Sequence, residues 1–113
     1  MPPEVDATVM VVLTTLPDAP AAEALAVQLI HERLVACANV LPGARSLYRW
    51  KGEIRRDAES LVILKTTRAS LPDLERRLPE LHPYDVPELV ALDVVGGLET
   101  YLEWVRAEAG GGA

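Results

Sequence analysis

The stretch LHPYDVPEL, residues 81–89, holds side chains that suit a metal or ligand site. His82 offers an imidazole nitrogen, and the carboxylates of Asp85 and Glu88 follow it closely. An imidazole combined with carboxylates suits copper, zinc or nickel. Cys37, the chain's single cysteine, adds a soft thiolate if the fold or a neighbouring subunit brings it close. These four residues are the predicted metal ligands.

The same stretch also fits a stiff loop with no ligand. Pro83 disfavours helix at His82, so the His-Pro pair ends a helix, and Pro87 stiffens the loop from the other side. None of the candidate ligands has a recognised metal spacing such as C-x-x-C or H-x-x-x-H. Cys37, within VACANV, fits a small buried side chain. The residues alone favour the structural interpretation over the metal one.

Length, composition and charge limit the class of protein that this chain can be. The chain has 113 residues, half of them apolar, which predicts one globular domain over 1–113 with an ordered core of about 7–108. The tails MPPE and GGGA are predicted to be frayed. The net charge of −6 argues against a nucleic-acid partner, because phosphate binding needs a basic face.

The sequence also indicates where in the cell the protein is found and how stable it is. The start, MPPEVDATV, lacks the charged and apolar regions of a secretory signal, and no apolar run is long enough to span a bilayer. We therefore expect a cytoplasmic protein with no membrane partner. Arginine outnumbers lysine and proline is abundant, which fits a thermostable protein and equally a GC-rich genome.

Hydrophobic periodicity predicts the elements that position these residues. TVMVVLTT (residues 8–15) is a continuous apolar run typical of a strand buried on both faces, and Asp18 is the predicted N-cap of the amphipathic helix that follows. ACANV begins a second strand, which is kinked at Pro42-Gly43 and resumes through RSLYRW. WKGE is a hairpin turn in which Gly52 supplies a positive φ.

The second half of the chain repeats the pattern. The return strand becomes apolar at SLVILKTT, and SLPD (residues 70–73) resembles a capping box before a helix that ends at Leu81. ELVALDVV is a fourth strand, and GGLETYLEWVRAEA gives a final helix. The order predicts an α+β, ferredoxin-like β-α-β-β-α-β sandwich with an extra C-terminal helix. VMVVL and LVIL are the predicted central strands, and the helices are expected to cover one face of the sheet.

The hairpin is longer than a sandwich of this size requires. Residues 46–56 should project past the helices and carry Leu47, Tyr48, Trp50 and Ile54. A long edge with exposed aromatic side chains is an aggregation hazard unless something covers it. We interpret it as a surface for subunit pairing, while the alternative is that the aromatic rings fold back on their own subunit.

Four segments carry a resemblance to a known family. ACANVLPGARSLYRWKGEI, ESLVILKTT, HPYDVPELVAL and YLEWV, in this order, resemble the CutA divalent-cation-tolerance family from about Val9 to Val105. The resemblance implies a stable cytoplasmic homotrimer of ferredoxin-like subunits whose long hairpins join three sheets, much as in the PII signalling proteins. It also implies an association with tolerance to copper and other divalent metals, with no established enzymatic activity.

Two positions depart from the pattern of some copper-binding relatives. Those relatives carry a cysteine where this chain has Thr14, and paired histidines where it has Leu81 and His82. Hydroxyl and leucine do not replace thiolate and imidazole for a soft or borderline ion. We therefore expect no required cofactor, with a divalent metal ion such as copper as the candidate ligand, and any copper site here is expected to be weaker or built differently.

Two other classes of function compete with metal binding. An enzyme of the acylphosphatase type needs an anion-cradling loop with an arginine, whereas the loop here is TTLPDAPA, and no G-x-S-x-G motif occurs, so we expect no catalysis. A PII-like regulatory protein would bind a small molecule in a cleft between subunits. The residues predicted to line that cleft or the subunit interface are Tyr48, Trp50, Glu59, Lys65, Tyr84 and Trp104, with His82 beside them.

Overall fold

The computed structural model describes residues 7–110, so the predicted frayed tails lie outside it except for Gly110. The elements are β1 (Val9–Leu16), α1 (Ala19–His31), β2 (Cys37–Trp50), β3 (Glu53–Thr67), α2 (Leu71–Leu81), β4 (Val90–Asp93) and α3 (Glu99–Glu108). The α+β class and the predicted order are confirmed. None of the helices described is both long and apolar enough to cross a membrane.

The four strands form one antiparallel sheet in the order β2-β3-β1-β4. The two most apolar strands, β1 and β3, lie in the centre as predicted, each with a strand on either side. The predicted burial of the first strand on both faces is not found within the described chain, because Val11, Leu13 and Thr15 on one face are only partly buried. The register places Leu13 of β1 opposite Ile63 of β3 and Val90 of β4. Strands β2 and β4 are the two edges of the sheet.

Helices α1 and α2 cover one face, which we call the helix face. Asp18 caps α1 as predicted, since its Oδ1 accepts a hydrogen bond of 2.9 Å from the backbone N–H of Ala21. The core beneath the helices is aliphatic, in keeping with a chain that has no Phe. Its buried members include Val12, Leu16, Leu25, Leu29, Val62, Leu64, Leu74 and Leu78.

The capping box predicted for α2 does not form. Ser70 already has helical φ and ψ of −86° and −14° and makes no side-chain cap. A capping side chain needs an extended backbone to reach the following N–H groups. The hydroxyl of Ser70 accepts a hydrogen bond from Oγ1 of Thr67 instead, at 3.2 Å.

Helix α3 lies on the other face of the sheet, contrary to the prediction that helices cover one face. Leu102, Val105 and Ala109 pack against Val9 in a second cluster. Side chains alternate along a strand, so Val9 points away from the face that carries Val12. The extra helix is therefore added at one end of this second face, which we call the open face.

The end of α3 is tied to the end of α1 by Arg33. Arg33 has a positive φ of 60°, and its Nη2 donates a hydrogen bond of 2.8 Å to the carbonyl of Ala107. Its own carbonyl accepts a hydrogen bond of 2.7 Å from the N–H of Gly110. Two bonds to one residue fix where α3 lies on the sheet.

The hairpin projects from the rest of the fold. We call residues 44–59 the ribbon, because here β2 and β3 pair only with each other beyond the end of β1 at Leu16. The register shifts between Leu41 and Ala44, at the predicted kink. The projecting ribbon makes the molecule elongated, with dimensions of 53 × 28 × 26 Å. Gly52 has the predicted positive φ of 80°, and Lys51 before it also has a positive φ of 50°.

Candidate functional site

The two faces of the ribbon carry different side chains. Because strand side chains alternate, Tyr48 shares one face with Arg55 opposite it, and Ser46 shares it with Asp57. The register therefore places Ser46, Tyr48 and Trp50 on one face of the ribbon. This face continues the open face of the sheet, and we call it the cleft face.

A cavity of about 830 Å³ lies between the cleft face and the loop that follows α2. Three aromatic side chains and five charged ones border it. They are Tyr48, Trp50, Tyr84, Arg55, Asp57, Glu59, Asp85 and Glu88. Its volume lies within the range of about 300–1,000 Å³ that is usual for small-molecule sites. We call this cavity the cleft.

Tyr84 closes one side of the cleft by bonding across it to the ribbon. Its phenol donates a hydrogen bond of 2.7 Å to Oε2 of Glu59. Burial, and then the hydrogen bond and charge of Glu59, raise the pKa of Tyr84 above its usual value. The phenol therefore keeps its proton, and one carboxylate oxygen of Glu59 is held in place.

Tyr48 makes an equivalent contact on the ribbon itself. Its phenol donates a hydrogen bond to Oδ2 of Asp57. This hydrogen bond is the main cause that raises the pKa of Tyr48. Two tyrosines thus orient two carboxylates along one wall of the cleft, while Asp85 and Glu88 lie exposed on the opposite wall.

His82 positions the loop. A carbonyl only accepts, so the 2.8 Å contact between Nε2 of His82 and the carbonyl of Thr15 places the ring proton on Nε2. Nδ1 then accepts a hydrogen bond of 3.1 Å from the N–H of Tyr84. The ring is buried and packs against Tyr84 at 4.8 Å between ring centroids. Both nitrogens are engaged, which leaves neither lone pair free for a metal ion.

The four predicted metal ligands do not meet within this chain. In the sheet register, Cys37 lies opposite Lys65, whereas Thr15, which His82 contacts, lies opposite Leu61. Four residues of strand correspond to about 13 Å. Within residues 7–110, no group of three or more His, Cys, Asp or Glu side chains is arranged to hold a metal ion. Metal binding stays a prediction.

Lys65 and Trp104, also predicted for the cleft or interface, do not border the cleft, and their place at an interface stays a prediction. Lys65 donates a hydrogen bond to Oδ1 of Asn39 on the open face. Trp104 packs against Tyr101 on α3, with ring centroids 5.8 Å apart. The hydroxyl of Tyr101 lies 3.6 Å from Sγ of Cys37, and this contact is the main cause that raises the pKa of Tyr101.

Asp57 and Arg55 were missed in the sequence, although the signal was present. Once Lys51 and Gly52 form the turn, counting two residues at a time along both strands brings Asp57 and Arg55 to the side of Tyr48. At the two positions that depart from some relatives, Thr14 is fully buried and Leu81 packs against the core.

Comparison with known proteins supports the resemblance. The family model described as CutA1 divalent ion tolerance protein matches residues 10–108. The divalent-cation tolerance protein CutA of Thermus thermophilus is 47% identical over 100 residues, which cover 88% of this chain and 97% of that protein.

Solved structures agree with the fold. CutA1 from Oryza sativa superposes with a TM-score of 0.90 at 39% identity, covering 96% of this chain and 99% of that one. CutA from Xylella fastidiosa superposes with a TM-score of 0.88 at 41% identity, covering 91% and 99% of the two chains. From sequence and fold together, the chain belongs to the CutA1 divalent ion tolerance protein family.

Proposed function

We propose that this chain acts in divalent-cation tolerance as a non-catalytic, cytoplasmic homotrimer of ferredoxin-like subunits, with the cleft as its functional surface. The observation that carries the proposal is the ribbon. It projects beyond the helices with Leu47, Trp50 and Ile54 exposed by 62%, 51% and 60%. Large apolar side chains on an unprotected strand pair are rare in a stable monomer, because they promote association.

The sheet edges support a ring of subunits. Strand β2 is open at one edge and β4 at the other, and these edges differ in length and sequence. Joining β2 of one copy to β4 of the next is a heterologous contact, which closes into a ring when the rotation permits. Val90 and Leu92 on β4 are about half exposed, which leaves apolar surface for such a contact.

The open face supports a shared core. Helix α3 covers only its end, and in the described chain the middle keeps apolar side chains that are partly exposed. These are Val11, Leu13, Leu61, Ile63, Val90 and Leu92. Three sheets meeting with these faces inward would bury them around a common axis.

Two mechanisms of tolerance are compatible with this proposal, direct metal binding and binding of a small molecule. Direct binding of copper by Cys37, His82, Asp85 and Glu88 requires the thiolate to come from another part of the assembly, and requires His82 to break a hydrogen bond. Binding of a small molecule in the cleft requires neither. The PII-like alternative places its ligand between subunits, and the aromatic-walled cavity within one chain supports it as the part that each copy would contribute to such a cleft.

Sedimentation velocity at micromolar concentration tests the assembly. The wild-type chain is expected to sediment as a trimer, and Ile54→Asp as a monomer, because a charge on the ribbon opposes its burial. Val27→Asp is the matched control, since Val27 is 63% exposed on α1, away from the ribbon. A monomeric wild-type chain would overturn the proposal.

Calorimetric titration of the metal-free protein with copper, zinc and nickel tests the mechanism. Saturable binding that is lost in both His82→Ala and the double variant Asp85→Ala/Glu88→Ala would establish the metal mechanism. The double variant is needed because His82 also holds the loop. Loss of metal binding in His82→Ala alone does not distinguish a missing ligand from a displaced loop. Absence of binding below millimolar concentration would leave the cleft ligand as the mechanism.

A further inference from the structure

The ribbon segregates charge between its two faces. All three of its carboxylates, those of Glu53, Asp57 and Glu59, lie on the cleft face. The opposite face has three arginines and no carboxylate. We call it the arginine face, and it consists of Arg45, Leu47, Arg49, Ile54, Arg56 and Ala58.

The three arginines of this face have no partner in their own chain. Arg45, Arg49 and Arg56 are exposed and make no hydrogen bond or ion pair within residues 7–110. Every arginine described outside the ribbon is engaged. Arg68 pairs with Asp93, Arg76 with Asp73, Arg77 with Glu32 and Arg106 with Glu99, and Arg33 donates to the carbonyl of Ala107.

The charge of the whole chain makes this arrangement more notable. The ribbon has five basic and three acidic residues, a net charge of +2, so the remainder of a chain of net charge −6 carries −8. Two copies of this acidic chain repel each other unless their contact brings opposite charges together. The ribbon is the part of the chain that can supply the cations.

We propose that the arginine face docks against the exposed carboxylates of Asp85 and Glu88 on the neighbouring copy, and that this contact makes assembly sensitive to salt. The proposal rests on the proposed homotrimer and names the surface that selects its interface. Asp85 and Glu88 make no hydrogen bond or ion pair within the described chain, so they are free to accept such a contact.

Strand direction leads the ribbon to those carboxylates. Every pairing within the sheet is antiparallel, and β4 begins at Val90, opposite Leu13. If β2 adds to a neighbour's β4 in the same antiparallel sense, its ribbon runs past the start of that β4. The chain just before Val90 is the loop that carries Asp85 and Glu88.

The apolar members of the face indicate a protein surface as the partner. Leu47 and Ile54 lie between the arginines and are about 60% exposed. Arginine is enriched in protein interfaces, and exposed aliphatic side chains favour burial against another protein, where exclusion of water strengthens ion pairs. Contact between two arginine faces would instead place cations against cations, so the charge favours a ribbon-to-loop contact.

The first test compares two variants of equal charge change by sedimentation equilibrium. Arg45→Gln/Arg49→Gln/Arg56→Gln removes the arginine face, and Arg68→Gln/Arg76→Gln/Arg106→Gln removes three cations that have partners in their own chain. At low salt the first variant is expected to dissociate at about tenfold higher concentration than wild type, with weaker dependence on sodium chloride. The control should change far less.

Charge exchange identifies the partner carboxylates. Arg45→Glu/Arg49→Glu/Arg56→Glu should prevent assembly at low salt, and adding Asp85→Lys/Glu88→Lys to the same chain should restore it. Failure of this restoration would overturn the assignment of Asp85 and Glu88. Equal behaviour of the two glutamine variants would overturn the docking of the arginine face while leaving the trimer intact. A wild-type chain that stays monomeric would overturn the trimer itself.

Discussion

At the residue scale, Thr14 keeps a hydroxyl in the core without a hydrogen-bond partner. Its side chain is fully buried on β1, and Oγ1 contacts no donor or acceptor in the described chain. Thr66 on β3 is equally buried, but its Oγ1 donates a hydrogen bond of 2.7 Å to the carbonyl of Leu34. The two threonines differ in this one respect, which makes them a matched pair.

We predict that Thr14→Val raises the free energy of unfolding by about 1 kcal/mol, because valine removes an unsatisfied polar group at similar volume. Thr66→Val should lower it by a similar amount, because the carbonyl of Leu34 then loses its donor. Urea denaturation of both variants measures the difference. Equal changes in the same direction would contradict the interpretation of Thr14.

His82 shows why residue types alone did not reveal its role. Its partner is the carbonyl of Thr15, 67 residues away in sequence. No local pattern encodes that contact, so the residues predicted a helix stop, with a metal ligand as the less favoured alternative, and not this anchoring role. The stop was predictable from Pro83, whereas the anchoring of Tyr84 was not.

At the element scale, the two helices of the helix face are joined by a bidentate ion pair. Nε and Nη2 of Arg77 on α2 each lie 2.9 Å from an oxygen of Glu32, at the end of α1. The hydrogen bond from Arg77, followed by one from Gln28, lowers the pKa of Glu32. Folding is therefore favoured while Glu32 is ionised.

This lowered pKa gives a pH dependence with a definite sign. The contribution of Glu32 is fully present above its unfolded pKa, near 4.5, and is lost as the pH falls through the lower folded value. We predict that wild type loses more stability than Glu32→Gln between pH 6 and about pH 3, measured by thermal unfolding. Glu75→Gln, exposed on α2, is the control and should behave like wild type.

Element order was predictable because each segment had a clear period, whereas some boundaries and local geometries were not. The fourth strand was predicted from Glu88 to Val95 but forms only over Val90–Asp93. Tyr84 holds the preceding loop against the ribbon through its hydrogen bond to Glu59. The pattern of apolar residues in the sequence does not show this tertiary contact. The positive φ of Lys51 was not predicted either, because in this turn only the glycine, Gly52, signals a positive φ in the sequence.

At the scale of the whole molecule, the proposed trimer couples folding to concentration. If dissociation accompanies unfolding, mass action stabilises the assembled state as the protein concentration rises. We predict that the thermal midpoint of wild type increases by several degrees over a hundredfold range of concentration, measured by calorimetry. The Ile54→Asp chain should show no such increase. A concentration-independent midpoint for wild type would contradict the coupling.

The alternation of the ribbon also restricts how this protein can change in evolution. Each face is defined by every second residue, so one residue inserted or deleted between 44 and 50 would rotate all later side chains of that strand by half a turn. Tyr48 and Trp50 would exchange sides with Arg49 in a single step. Substitutions that keep the character of each face should therefore be tolerated in this segment among descendants of the chain, while changes in its length should come only in pairs.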